Sequence, residues 1–409
     1  MTYTRPDMTK FLFLAALLPA VALAQNTSNA VGGLVQHLSS IGLTNLVDVV
    51  TTVNQSNVGQ SLLANLTNGE PHLLFAPNNQ AISSSPSNIT SDPGRLTDVF
   101  GYHIVPGNFS NASSHYPNVT LGRTLLTDPN LVHLEGENKA QVVAWAVRSD
   151  NKTHVLNQRN DSTVVDVSSF GNITIYVVDH VLVIPENFNA TIPTNEESLT
   201  GIRTILQHVE TVIFNDHTTH SIFNAVNDLW HGFTFFAPNN DAVVAAQDSF
   251  RSFSRNATAY TNVVYNHIIN GSTIYSPLLS GQHFTTTAGE NLSFFVNRTG
   301  QYLISGSIIA RIVQPDVILP NGVIHVIDQV ILNTESDSAA ASSAVASAIS
   351  AATANPTETQ PIGSSQTGTS NPSGSGSSSG AVAGPQLNVL YNLAGTFVCV
   401  LAGVTMTVS

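Results

Sequence analysis

Histidines and aspartates set inside apolar runs are the residues of this chain that could do chemistry. His103 stands in Val99-Phe100-Gly101-Tyr102-His103-Ile104-Val105-Pro106-Gly107, and His267 in Val263-Val264-Tyr265-Asn266-His267-Ile268-Ile269-Asn270-Gly271. Asp179 and Asp328 sit in similar runs, Tyr176 to Leu182 and His325 to Leu332. An imidazole is a frequent general base and metal ligand near neutral pH. Buried and unpaired, it would be costly, so the structural reading has each ring bonding a backbone group inside the fold. Asp179 and Asp328 are read the same way, as buried hydrogen-bond hubs instead of catalytic acids. His217-Thr218-Thr219-His220 offers two ligands at a spacing that one helical face can present. Zinc needs three or four with support behind them. The Gly-x-Ser-x-Gly match, Gly376 to Gly380, has no strand before it or helix after it to build a nucleophile elbow. No catalytic, cofactor-binding or metal residue is assigned, and no cofactor is expected.

The elements that must hold these residues occur twice. Leu73-Leu74-Phe75-Ala76-Pro77-Asn78-Asn79-Gln80-Ala81 returns 161 positions later as Thr234-Phe235-Phe236-Ala237-Pro238-Asn239-Asn240-Asp241-Ala242. The histidine segment follows in each copy, and each unit closes on a β-rich run, Ile173 to Leu182 and Val323 to Leu332. Three elements recurring in one order mean a duplicated domain. Each unit opens with helical spacing, at Leu34, Leu38, Ile41 and Leu46 and at Ile202, Ile205, Leu206 and Val209, with a further helical face at Ile222, Ala225, Val226 and Leu229. Asn78, and Asn239 or Asn240, can cap the helix after each Pro. Beyond the histidines, Gln141 to Val147, Val164 to Val167, Asn172 to Val183, Leu292 to Val296 and Tyr302 to Val313 read as strands. Helices followed by strands predict an α+β domain.

The ends of the chain address it. Arg5 and Lys10 precede the apolar stretch from Phe11 to Leu23, and Ala22-Leu23-Ala24 supplies the small residues of a cleavage site, so residues 1–24 are read as a secretory signal peptide. At the far end, small residues from Ser373 to Gly384 precede an apolar tail, Leu387 to Val408, with no Lys or Arg beyond Arg311. That order is read as a lipid-anchor signal over 381–409 with attachment near Ser379. A transmembrane helix is the rival reading, and would normally carry flanking cations. The sole cysteine, Cys399, falls in this tail, so stability must come from packed cores.

Acidic residues outnumber basic ones 26 to 13, for a net charge of -13. Losing Arg5, Asp7 and Lys10 with the leader removes one net positive charge and takes -13 to -14. Runs of Lys and Arg are missing, which excludes nucleic acid as an expected partner. Fifteen Asn-x-Ser/Thr triplets lie between Asn26 and Asn297. Asn65, Asn88, Asn118, Asn172, Asn256 and Asn291 are taken as glycosylation candidates. Residues 334–380, mostly Ala, Ser, Thr, Gly and Pro, read as an extended stalk in which Ala339 to Ala352 can turn helical. Pro185 to Ser198 reads as a short linker without an element of its own.

These blocks resemble those of the fasciclin domain, found in insect fasciclin, periostin and many plant and fungal cell-surface proteins. The first block is similar to Phe75-Ala76-Pro77-Asn78-Asn79 and Phe236-Ala237-Pro238-Asn239-Asn240, the middle block to Tyr102-His103-Ile104-Val105-Pro106-Gly107, and the last to Asn321-Gly322-Val323-Ile324-His325-Val326-Ile327-Asp328. The resemblance implies tandem domains at 33–185 and 198–333, each a twisted β-sandwich or wedge flanked by helices, with adhesion or matrix roles and no catalysis. In animal members the Tyr-His block is associated with integrin binding. The second unit has Asn266 in place of Tyr102, and the first lacks an Asn-Gly pair before its last block, reading Gly171-Asn172-Ile173. His103 to Asp179 is 76 residues and His267 to Asp328 is 61, so the first unit has fifteen extra, placed by their polarity in Arg148 to Ser162.

The expected function is a non-enzymatic, glycosylated cell-surface protein contacting surface or wall glycans and proteins, lipid-anchored to the membrane. The alternative is a membrane-anchored luminal protein of the secretory or vacuolar system acting in membrane traffic. The duplication also predicts that residues 198–333 melt cooperatively alone.

Overall fold

The computed structural model describes residues 17–109, 112–136, 139–158, 162–193, 199–212, 218–253, 255–352 and 360–364. Helices α1 (Leu17–Ser40), α2 (Thr44–Val53) and α3 (Asn57–Leu66) lead into strand β1 (His72–Pro77). Helices α4 (Asn79–Ser83), α5 (Ser87–Thr90) and α6 (Pro93–Tyr102) follow, and then β2 (Ile104–Pro106), β3 (Thr120–Arg123), β4 (Val142–Val147), β5 (Thr153–Val155), β6 (Ser162–Phe170) and β7 (Ile173–Val178). After a helical turn, α7 (Phe188–Thr191), the second unit runs α8 (Thr200–Gln207), β8 (Glu210–Val212), β9 (Thr219–Ser221) and α9 (Ile222–Asn224), the last continuing as a π-helical turn, Ala225–Leu229. Strand β10 (Phe233–Pro238) precedes α10 (Asn240–Ala245), α11 (Gln247–Phe253) and α12 (Ala257–Tyr265). Strands β11 (Ile268–Asn270), β12 (His283–Thr285), β13 (Asn291–Asn297), β14 (Gly300–Ser305), β15 (Ile308–Leu319) and β16 (Gly322–Ile327) complete it, and helix α13 (Ser338–Ala352) comes last.

Each unit is built on a seven-stranded sheet of one topology, β2-β1-β7-β6-β5-β4-β3 in the first and β11-β10-β16-β15-β14-β13-β12 in the second. The two motif strands pair in parallel, β1 with β7 and β10 with β16, and the other pairs are antiparallel. Leu74, Ala76, Ile173, Ile175 and Val177 face the helices and pack with Leu34, Leu38, Leu46 and Phe100. The alternate residues, Phe75, Tyr176 and Val178, face a second core with Trp145 and Phe109. Phe75 on β1 meets Trp145 on β4 at 5.5 Å between ring centroids, and Phe236 on β10 meets Phe294 on β13 at 5.2 Å. Four strand positions in a flat sheet would separate them by roughly 19 Å. Each sheet therefore folds over on itself into a wedge, with helices on one side, which is the expected α+β architecture.

Several local expectations are corrected. Ile41 lies past the end of α1, 36% exposed, because the chain turns at Gly42 with φ 83°. The apparent strand from Tyr302 to Val313 is a hairpin, β14 and β15, turned at Gly306 with φ 58°. The linker carries α7, and its Phe188 and the Ile192 that follows the helix are buried in the second domain's core. The fifteen extra residues do not lie in Arg148 to Ser162, since Val142 to Phe170 and Asn291 to Leu319 are the same length. They lie mainly in the connection between β3 and β4, which runs from Arg123 to Val142 against Thr285 to Asn291 in the second unit.

That connection reaches across to the second domain. His133 N–H donates to the Pro320 carbonyl at 2.8 Å, Gln141 Nε2 to the Leu319 carbonyl at 3.1 Å, and Thr273 Oγ1 to Glu135 Oε2 at 2.6 Å. Leu121, Val142 and Ala144 share an apolar cluster with Tyr275, Ile318 and Val323, so the two wedges meet through an apolar seam with polar contacts beside it. The stretch read as a stalk begins folded. Asp337 accepts the first N–H groups of α13, from Ala339 and Ala340, at 3.0 Å each, and Ile362 is buried in the seam with its N–H on the Leu121 carbonyl at 3.0 Å.

Candidate functional site

The motif residues converge at the centre of each domain and bond one another. Asn78 and Asn239 cap their own helices, accepting Ala81 N–H at 2.8 Å and Ala242 N–H at 2.9 Å. The next asparagine does a different task. Asn79 Oδ1 accepts Asn45 N–H at 2.9 Å and Asn240 Oδ1 accepts Gly201 N–H at 2.7 Å, each supplying the first turn of an earlier helix, α2 or α8, whose own N-cap is a leucine. Pro-Asn-Asn thus serves two helix N-termini at once.

His103 Nδ1–H donates to the Val99 carbonyl at 2.7 Å, and its Nε2 accepts Leu182 N–H at 2.9 Å. His267 repeats both bonds at the same lengths, with Val263 and Ile331. One ring nitrogen donates and the other accepts, so each ring must be neutral. Burial pushes both imidazoles down to about 4. These are structural cross-links between the middle block and the chain leaving the last block. Tyr102 is 1% exposed and burial raises its hydroxyl pKa, so neither member of the Tyr-His pair is presented to a partner. Asn266 uses the same buried position differently, donating to the Asn333 and Glu335 carbonyls at 3.0 and 3.1 Å and steering the chain toward α13.

Asp179 Oδ1 accepts Thr163 N–H at 2.7 Å and Asp328 Oδ1 accepts Arg311 N–H at 2.8 Å. Both are backbone hubs as expected, but neither is buried. Asp179 is half-exposed and Asp328 is exposed, because each stands one residue past the end of its strand at the sheet margin. Asn172 is the positional equivalent of Asn321. Each ends a two-residue turn and donates Nδ2 backward, Asn172 to Gly69 at 2.5 Å and Asn321 to Trp230 at 2.9 Å, so the first unit keeps the role without the Asn-Gly pair.

Sequence reading missed one cluster with the composition of a hydrolase triad. Asp316, at φ 57°, accepts from Ser276 N–H at 2.7 Å and from the Ser276 hydroxyl, and its own N–H donates to His325 Nδ1 at 3.2 Å. His325 Nε2–H donates to the Ile274 carbonyl at 2.9 Å. The serine bonds the carboxylate and not the imidazole, and all three are buried, so the histidine is not placed to deprotonate the serine. Burial raises the Asp316 pKa and lowers that of His325. The Asp316 carbonyl accepts from Asn157 of the first domain, which makes this cluster a buttress of the seam. His133 and His231 also stack across the seam at 5.3 Å, and partial burial, then the neighbouring ring, lower the pKa of His231.

Among the described residues no group of three or more His, Cys, Asp or Glu could hold a metal. His220 lies on strand β9 and not on a helix, while His217 and the Gly376–Gly380 match are outside the described residues. Asn65, Asn118, Asn172, Asn256 and Asn291 are exposed, and Asn88 lies within α5. Ser379, the tail from Leu387 and residues 1–16 of the leader are outside the described residues, and among those described no helix is long and apolar enough to cross a membrane.

The fasciclin domain family matches residues 43–185 and again 211–333. The chain belongs to that family. A fasciclin-like arabinogalactan protein of Arthroderma benhamiae is 27% identical over 279 residues, 67% of this chain and 59% of the relative. Protein sll1483 of Synechocystis sp. is 35% identical over 103 residues, 24% of this chain and 54% of the relative. The chain thus spans little more than half the length of either relative. Among solved structures, a FAS1 domain pair from the insect cell adhesion molecule fasciclin I is similar over 72% of this chain and 98% of its own length, at 18% identity and a TM-score of 0.32. The residues that define the fasciclin blocks here are consumed in holding the domain together.

Proposed function

We propose that this fasciclin protein is a glycosylated cell-surface adhesion molecule, without a catalytic step, whose joined domain pair contacts glycans and proteins of neighbouring surfaces or wall. The observation that carries this reading is where the family's motif residues go. Phe75, Phe236, Tyr102, His103 and His267 are buried inside, which leaves binding to the outer surface, where Asn65, Asn118, Asn172, Asn256 and Asn291 are exposed. Weak contacts suffice if many copies share one surface, since tethering raises the effective concentration of each further contact. A lipid anchor near Ser379 would supply that tether.

Phosphatidylinositol-specific phospholipase treatment of intact cells tests the tether. Release of the chain, loss of cell–cell or cell–wall adhesion on release, and no peptide beyond Val389 are the expected results. Recovery of a peptide containing Cys399 from the mature protein would overturn the anchor and favour a membrane-spanning protein of the secretory or vacuolar system.

A further inference from the structure

Asn297 ends strand β13 at the tip of the β13–β14 hairpin and opens the acceptor triplet Asn297-Arg298-Thr299. Its Oδ1 accepts Thr299 N–H at 2.8 Å and the Thr299 hydroxyl at 2.6 Å, closing a local turn on the oxygen side of the amide. Nδ2, the atom that would carry a sugar, makes no hydrogen bond among the described residues. Asn172, by contrast, already spends one Nδ2–H on the Gly69 carbonyl at 2.5 Å, so a sugar there would have to share the nitrogen with that bond.

Beside Asn297 lies an aromatic platform. Phe295, two residues earlier and so on the same face of the strand, pairs across the hairpin with Tyr302, the rings 4.9 Å apart and within 8° of parallel. Both are half-buried, and the Tyr302 hydroxyl lies 2.7 Å from Thr299 Oγ1, tying the platform to the triplet. Gly300, directly opposite Asn297, contributes no side chain of its own, and the Arg311 guanidinium borders that corner, its Nε 3.2 Å from where a Cβ would stand. The axial C–H groups of a pyranose are suited to the electron-rich face of an aromatic ring.

We propose that Asn297 carries an N-linked glycan whose first N-acetylglucosamine packs on the Phe295–Tyr302 pair and stiffens the hairpin. Transfer uses a polyprenyl-pyrophosphate oligosaccharide in the secretory lumen. Nδ2 loses a proton and bonds the anomeric carbon of the first sugar, while the bond from that carbon to pyrophosphate oxygen breaks and the lipid pyrophosphate leaves with the electron pair. The inference rests on the reading of this chain as a secreted glycoprotein.

The full-length chain, expressed in eukaryotic cells with its own leader, is digested with and without N-glycosidase in ¹⁸O water, and each triplet is scored by mass spectrometry. Asn297 should be occupied in most molecules, and amide exchange over residues 293–305 should be slower with the glycan than without it. In Phe295→Ala and Tyr302→Ala that difference should vanish, and Asn297→Gln should match the deglycosylated wild type. Occupied Asn118 or Asn256 with a bare Asn297 would overturn this inference and leave the secreted reading standing. An occupied Asn297 whose removal leaves hairpin exchange unchanged would overturn the packing. Absence of sugar at every triplet would overturn both readings.

Discussion

Mild acid should unfold this protein through His103 and His267. Each ring donates from Nδ1 and accepts at Nε2. Protonation would set a new N–H against the N–H of Leu182 or Ile331. The ordinary imidazole value is 6.5 and the folded value is about 4 in both domains. Because the folded pKa is depressed, the unfolded chain binds more protons between those values, so stability rises with pH across that window and is lost as pH falls from 6.5 toward 4. At about 1.36 kcal/mol per pH unit the loss is roughly 3 kcal/mol for each histidine, with no discount for solvent because both rings are buried. His325, lowered by burial, adds in the same direction, and Asp316, raised by burial, opposes it. Gln can keep both bonds, through its amide N–H and its carbonyl, and cannot titrate. The His103→Gln/His267→Gln double variant cancels the shared terms when compared with wild type. Urea unfolding of the full chain at pH 7, 5.5 and 4.5 is read through Trp145 and Trp230, one buried indole in each domain. The wild type should lose stability steeply as the pH falls, and the double variant should lose it by several kcal/mol less. An acid loss of equal size in both proteins would refute the argument.

Asn79→Ala and Asn240→Ala should each destabilise their domain by about 1 kcal/mol or more, since the cap of an earlier helix is lost in each case, and urea midpoints will measure it. Residues 198–333 should melt at a lower temperature than residues 186–333, because the shorter fragment lacks Phe188, a fully buried core side chain whose loss corresponds to roughly 3–5 kcal/mol. Equal calorimetric midpoints would show that the linker contributes nothing. Leu121→Asp, which places a charge in the seam, should split a single calorimetric transition of the full chain into two. A wild-type chain that already melts in two separated steps would contradict a stabilising seam.

Much of the fold was legible because its signals are local. Pro-Asn-Asn after an aromatic strand specifies a stop and a helix cap through groups a few residues apart, and the apolar spacing of Ile202, Ile205 and Leu206 specifies a buried helical face. The histidines could be read as structural because an unpaired imidazole in an apolar run would be costly. Burial of Asp179 and Asp328 could not be read the same way, since a residue one step past a strand end has apolar neighbours in sequence and solvent in space. The position of the extra residues in the first unit was also illegible from polarity, because the connection from β3 to β4 is partly apolar, with Val132 and Leu134 buried in the core.

The duplication, the three blocks and their order were determined by the sequence by itself, since the same residue types recur in the same order and their local bonds, the asparagine cap three residues on and the histidine bond four residues back, repeat in both copies. Tertiary structure alone decided what joins the copies. Glu135 meets Thr273 across 138 residues, Asn157 meets Asp316 across 159, and Ile362 returns to Leu121 to enter a cluster drawn from both domains. Such contacts have no periodicity to announce them. They exist because the curled sheets bring apolar residues of β3 and β4 against those around the β15–β16 turn, and burial of that surface is non-directional and leaves no spacing in the sequence.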